Sequence, residues 1–290
     1  MASSDIWSDW LLKRRFGGDA AQLKRLMDIL YPVRDRVLAG AALKDGETLL
    51  DVGCGDGLIA FGSLQSNPGS KAIFSDISSD LLEHARQLAA DARLLDRCAF
   101  IKASADDLSP IREESVDAVT TRSVLIYVDR KESAFREFHR VLKPGGRLSM
   151  YEPINVFGYE QPEASFWGLD VTPVIGAANK LKAQSRLLQP PKTDPMLNFD
   201  ERDLLRIVEA AGFYEVEMDY EVRITRWPDT EWSALINQAP NPKLPTWEEA
   251  MNQVLTPAEK EAFIAHVRPQ VECRQGKDRM AHVYLRATKE

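Results

Sequence analysis

Leu49-Leu50-Asp51-Val52-Gly53-Cys54-Gly55-Asp56-Gly57 constrains this chain more than any other stretch. A short apolar run of this kind reads as a buried strand, and three glycines at alternate positions follow it at once. Glycine tolerates left-handed backbone and, having no Cβ, lets main chain approach a ligand closely. Where such a turn feeds a helix, the unpaired amides of the helix start lie beside whatever is bound. A dinucleotide turn carries glycines at relative positions one, three and six. The sixth here is Leu58, which weakens a pyrophosphate reading. A phosphate loop would continue Gly-Lys-Ser/Thr, and that is absent.

Around this turn the apolar pattern predicts alternating strands and helices. Strands are expected at 48–52, 71–76, 99–103, 116–121 and 147–151. Between them, 79–92 places Leu81, Leu82, Ala85 and Leu88 on one helical face, and a helix over 130–142 stops at Lys143-Pro144-Gly145-Gly146. This rhythm implies a parallel sheet with helices on both faces. It returns after a gap as a helix near 203–211, a strand alternating from Val216 to Ile224, and a last strand at 281–285. Residues 5–39 read as helical with a break at Gly17-Gly18. The stretches 156–198 and 225–280 are too long for plain loops and are expected to form added structure. The expected organisation is an amino-terminal helical cap (1–40), a binding core (41–155), a cap insertion (156–198), a core continuation (199–224), a helical insertion (225–280) and a final core strand (281–290).

Composition narrows the compartment and the partner. No apolar run approaches the roughly 18 residues that cross a bilayer. The start, Met1-Ala2-Ser3-Ser4-Asp5, lacks a secretion pattern, so the cytoplasm is expected. Cys54, Cys98 and Cys273 are scattered, suggesting neither a disulfide framework nor a metal site. The formal net charge of −7 repels a phosphate backbone on average and disfavours nucleic acid.

Asp76 closes the second strand, where a carboxylate can accept both hydroxyls of a ribose. The competing role is an N-cap for the helix beginning near Ser79. Together with the glycine turn it resembles the class I S-adenosylmethionine-dependent methyltransferases, and the likeness covers most of residues 45–155. Asp51 to Gly57, with Cys54 inside the turn, matches the family's Asp-x-Gly-x-Gly-x-Gly motif, and Asp76 its ribose acid. Ala103-Ser104-Ala105-Asp106-Asp107-Leu108 is similar to the adenine segment, with Ser104 where the family usually has an acid. Thr121 to Val128 matches the motif after the fourth strand, and Leu142 to Gly146 the family's proline-glycine turn. The resemblance implies an α/β, Rossmann-like seven-stranded sheet with helical cap insertions, and S-adenosylmethionine as cofactor. It also implies that Gly53, Gly55 and Gly57 pass the methionine portion, Asp76 the ribose, Ile77 one adenine face, and Ser104 with Ala105 the adenine edge.

A bound sulfonium is already electrophilic, so alignment and exclusion of water can supply most of the acceleration. A hydroxyl acceptor also needs a base. His84, His139 and His266 lie in helical segments and His282 in the last strand, so no histidine base is announced. The candidates lie after the fourth and fifth strands, where open α/β sheets gather their active-site loops: Arg122, Tyr127, Tyr151, Glu152 and Asn155. Glu152 reads equally as a base or amine ligand and as a cap for the next segment. Arg122 reads as a carboxylate ligand, for donor or acceptor, or as a structural ion pair. Trp7, Trp10, Phe16, Phe157, Tyr159, Phe166, Trp167, Trp227 and Trp232 fall in the added segments. They suit a cover over a small, partly aromatic acceptor, or packing, or a homodimer contact. The expected activity is methyl transfer to oxygen, nitrogen or carbon of such a metabolite. Alternatives are a fold relative without methyl transfer (a regulator or cyclase), a nicotinamide oxidoreductase, and a nucleic-acid methyltransferase.

Overall fold

The computed structural model describes residues 5–16, 20–159 and 161–290. Seven strands form one sheet: β1 (Thr48–Val52), β2 (Lys71–Asp76), β3 (Cys98–Lys102), β4 (Val116–Arg122), β5 (Leu142–Pro153), β6 (Phe213–Arg226) and β7 (Lys277–Lys289). Their order is β3-β2-β1-β4-β5-β7-β6. The first five run parallel, β7 is antiparallel to β5, and β6 is antiparallel to β7. The central strands are apolar because helices cover both faces. On one face lie α2 (Ala20–Ala41), α3 (Leu58–Ser66) and α4 (Ser79–Asp91); on the other lie α5 (Lys131–Val141) and α8 (Glu201–Ala210).

Several expectations need correction. Residues 20–41 are not cap: Val37 and Ala41 are buried, Ser149 donates to the Val37 carbonyl at 2.8 Å, and Arg147 donates to the Ala41 carbonyl at 2.8 Å. The helix α2 is therefore a core layer, and the amino-terminal cover shrinks to α1 (Ile6–Leu12) and the turn Arg14–Phe16. The break at Gly17-Gly18 and the side chain of Phe16 lie outside the described residues. Strand β5 begins at Leu142 rather than 147. Leu142 pairs with Val116 and Arg147 with Ala118, so Lys143 to Gly146 loop out of a continuing strand. The alternation from Val216 to Ile224 is real, but β6 is the sheet edge, and Tyr220, Val222 and Ile224 stay largely exposed.

The two insertions are one body rather than two. Phe166, Leu169 and Leu181 from the first pack with Trp227, Trp232, Met251 and Phe263 from the second in a separate hydrophobic core. That core is built on α7 (Ile175–Leu188), α9 (Trp232–Ile236), α10 (Trp247–Val254) and α11 (Pro257–Glu272). A short helix, α6 (Asn155–Tyr159), leads into it from β5. Among the described residues no helix is long and apolar enough to cross a membrane.

Candidate active site

Four strands end side by side, and the residue after each one, Gly53, Ile77, Ala103 and Ser123, lines a single cavity of about 400 Å³. Its floor is the glycine turn. Gly53 and Gly55 have φ of +63° and +56°, a region that side chains rarely adopt. Space reinforces the requirement: a Cβ on Gly53 would stand 2.3 Å from a Val124 methyl, and one on Gly55 3.0 Å from Leu11.

The wall beyond β4 is held from beneath. Ser123 takes φ +57° and donates its amide to the Tyr151 carbonyl at 2.9 Å, so the chain leaves the sheet sharply. The Glu152 carboxylate, fully buried, accepts the amides of Val124 at 3.2 Å and Ile126 at 2.9 Å. Burial pushes its pKa up to about 7, against the pull of those amides. Of the readings open to it, the structure shows the capping one: Glu152 is absent from the cavity lining and holds the amides of the loop carrying Val124 and Tyr127.

The roof is α1, and its sequence explains its docking. Asp5 caps it, accepting the amides of Trp7 at 3.0 Å and Ser8 at 2.9 Å. The same residue accepts the Ser78 hydroxyl at 2.6 Å and donates its own amide to Asp80 at 2.8 Å, fastening α1 to the start of α4. At the other end Trp10 donates to the Ala239 carbonyl at 2.9 Å, and Arg14 pairs with Glu249 at 2.5 Å. Trp7 meets Tyr127 edge-on, with centroids 4.9 Å apart. Trp7, Trp10 and Arg15 thereby line the cavity from above, and Leu11 rests against Gly55.

Of the residues singled out from sequence, Gly53, Gly55, Ile77, Ser104, Ala105, Arg122 and Tyr127 line this cavity. Asp51, Cys54, Gly57, Asp76 and Glu152 do not. Asp51 accepts the Thr120 hydroxyl at 3.0 Å and the Ala60 amide at 3.2 Å, and burial raises its pKa to about 7. Gly57 starts α3 with φ +84°, and a Cβ there would strike Phe61 and Phe74. Cys54 is buried among Ala60, Leu64 and Phe74, and burial raises its thiol pKa well above the usual value. Asp76 lies just under the floor, with Oδ2 accepting the Gly55 amide and Oδ1 the Ser78 amide, each at 2.9 Å. Burial raises its pKa. The N-cap of α4 is Ser78, not Asp76.

Of the roles open to the insertion aromatics, packing is the one seen. Phe166, Trp227 and Trp232 sit in the second core, Phe157 and Tyr159 pack on the first, and none of them lines this cavity. Trp167 lines only a second space of about 30 Å³, room for roughly one water. The sequence reading missed Arg15, Asp129 and Arg130 on the main wall. At the adenine-segment end, Ser104 donates to Asp106 at 2.5 Å, and Asp106 pairs with Arg130 at 2.9 Å.

Comparison with known proteins fits this geometry. Residues 50–150 match a family model described as a methyltransferase domain. The "Ubiquinone/menaquinone biosynthesis C-methyltransferase UbiE" of Cereibacter sphaeroides is 30% identical over 188 residues, covering 62% of this chain and 71% of that protein. The protein of the same name from Paracoccus denitrificans is 31% identical over 182 residues, covering 61% and 70%. The chain belongs to the class I S-adenosylmethionine-dependent methyltransferases. This methyltransferase uses S-adenosylmethionine as its cofactor and acts on a small molecule. Solved structures share its fold. The [4+2]-cyclase SpnF superposes with a TM-score of 0.53 at 22% identity over 89% of this chain and 80% of that one. Geranyl diphosphate methyltransferase in complex with SAM gives 0.53 at 19% identity over 94% and 92%. The methyltransferase's own residues suit the cofactor. Its floor excludes any Cβ, an acid stands at the β2 end, and the enclosed volume falls in the range of small-ligand sites.

Proposed function

We propose that this methyltransferase transfers a methyl group to carbon on an electron-rich ring of a small organic acceptor enclosed beneath α1. The observation that carries this reading is the cavity wall itself. Among the described residues it is apolar and aromatic around Tyr127, Trp7 and Trp10, and it carries no histidine. Burial raises the Tyr127 phenol far above neutral pH, so it contributes surface rather than basicity. Of the two acids on the wall, Asp106 is already engaged by Arg130 and Ser104, which leaves only the weakly basic carboxylate of Asp129. An acceptor whose nucleophile needs no strong base fits such a wall. The C-methyltransferases that resemble this chain are named for quinone biosynthesis, and an electron-rich ring carbon is the corresponding chemistry here.

When bound, S-adenosylmethionine supplies an electrophilic methyl group. In the proposed arrangement Gly53 and Gly55 pass its methionine portion and Arg122 receives the methionine carboxylate. Asp76 accepts the ribose hydroxyls on the lone pairs its two amide bonds leave free. Ile77 covers one adenine face, and Ser104 with Ala105 meets the adenine edge. Val124 and Tyr127, held by Glu152, and Trp7 and Trp10 on α1 exclude water and orient the ring.

Two measurements test this. Calorimetry with S-adenosylhomocysteine should show Asp76→Ala binding at least roughly tenfold more weakly than the native protein, the scale of one charge-assisted bond. Equal affinity would remove the ribose assignment. With methyl-labelled donor and a panel of phenols and quinols, carbon-13 NMR of the product should place the label on carbon. Label on oxygen or nitrogen would overturn the acceptor reading while leaving the donor site standing.

A further inference from the structure

We propose that Arg15 anchors an acidic group of the methyl acceptor, which makes that acceptor a small organic anion: a carboxylate or phosphate on an apolar or aromatic body. The inference rests on the donor reading above, in which Arg122 takes the donor's carboxylate.

The argument is a balance of charge on the cavity wall. Arg15 and Arg122 both line the cavity, and among the described residues neither has a carboxylate within ion-pair distance. Their neighbours differ. Arg14, adjacent in the chain, pairs with Glu249, and Arg130 at the rim pairs with Asp106. Arg130 is thus paired at the rim while Arg15 and Arg122 inside form no ion pair, and with Asp106 and Asp129 counted the wall keeps a positive charge in excess. Arg15 lies 5.4 Å from the Trp10 ring, a contact that supports a cation without neutralising it. Burial and the nearby Arg122 lower the pKa of Arg15 to about 10, so it remains charged at neutral pH.

The donor carries one carboxylate, one ammonium and one sulfonium. Its carboxylate can neutralise one guanidinium. The second is then left in a water-poor space that also holds a sulfonium, where like charges repel strongly. An anion on the second substrate removes that repulsion. A guanidinium presents a planar fork of donors matched to the paired oxygens of a carboxylate or phosphate. Trp7, Trp10 and Tyr127 supply surface for the rest of the molecule. Arg15 also follows α1 directly, so an acceptor bound through it would hold the roof down over the donor.

The test uses the full chain saturated with S-adenosylhomocysteine, titrated with benzoate, indole-3-acetate and phenyl phosphate. Benzamide and indole-3-acetamide serve as neutral counterparts. At least one acid should bind at least about tenfold more tightly than its amide, by calorimetry or thermal shift. The carboxylate and phosphate arms show which acid the site prefers. Arg15→Gln should abolish the preference while S-adenosylhomocysteine affinity changes by less than about threefold, and Arg15→Lys should restore part of it. Equal binding of acids and amides to the native complex would overturn the proposal. So would an Arg15→Gln protein that loses donor affinity about tenfold yet keeps the same acid preference, since Arg15 would then belong to the donor. Failure of the native chain to bind S-adenosylhomocysteine would instead remove the donor reading.

Discussion

Glu152 shows how one buried side chain can shape a site it does not enter. Its carboxylate is the joint between the end of β5 and the loop after β4, holding the amides of Val124 and Ile126. Burial raises its pKa from 4.5 to about 7, so the folded protein binds this proton more tightly than the unfolded chain does. Ionising the group is therefore harder in the fold, and its contribution to stability declines as pH rises from about 4.5 towards 7. Relative to Glu152→Gln, the native protein should lose roughly 3 kcal/mol of stability across that window. Urea unfolding of both proteins at several pH values measures it, and a pH-independent difference would refute the shift. None of this was legible in the sequence. The partners of Glu152 are backbone amides on another strand's loop, and amides carry no residue signature. Arg15 escaped for a related reason. Lys13-Arg14-Arg15 carries no motif that sets one residue apart, and only the docking of α1 brings Arg15 to the cavity wall.

At the scale of elements, the parts fixed by local backbone requirements were readable and the parts fixed by docking were not. The glycine turn announced itself because φ above zero and absent Cβ atoms are properties of single positions. The parallel order of β1 to β5 followed from strand–helix alternation. The roof was expected as part of a cap over 1–40 carrying Trp7 and Trp10, but its bounds were not. Nothing in the sequence separates α1, which lines the cavity, from α2, which packs on the sheet. The cap of α1 makes its docking testable. Asp5→Ala removes the acceptor for the Trp7 and Ser8 amides and the tie to Ser78. Loss of such a cap costs about 1 kcal/mol of helix stability. The expected outcome is faster hydrogen exchange over Ile6–Leu12 and weaker S-adenosylhomocysteine binding, with little change in the melting of the sheet. In the native protein, ligand should slow exchange over the same residues. Equal protection with and without ligand would identify α1 as a permanently docked element.

At the scale of the molecule the described residues bury apolar side chains on both faces of the sheet and, separately, inside the paired insertions. The aromatics of the insertions suited a cover, packing or a dimer contact, and packing is what Phe166, Trp227 and Trp232 do in the second core. Alternation and composition cannot distinguish these roles, because a buried tryptophan and a ligand-facing one look alike in a sequence. Phe263 is fully buried in that second core. Phe263→Ala should cost about 3–5 kcal/mol locally. It should raise exchange in α7, α10 and α11 while the glycine floor keeps its ligand affinity, because no residue of that core lines the main cavity. Concerted loss of ligand binding would show that the two bodies unfold as one.

The first helix is tied to both bodies, to Ser78 and Asp80 on one side and to Ala239 and Glu249 on the other. Were ligand exchange to require one of those ties to let go, release would follow the helix rather than the reaction. Catalysis in such a molecule acquires a clock of its own, independent of how reactive the acceptor is. Substrates that react faster than the helix detaches would all turn over at one common rate. That rate would respond to solvent viscosity and to the ties at Asp5 and Arg14, while the chemical step stayed hidden behind it.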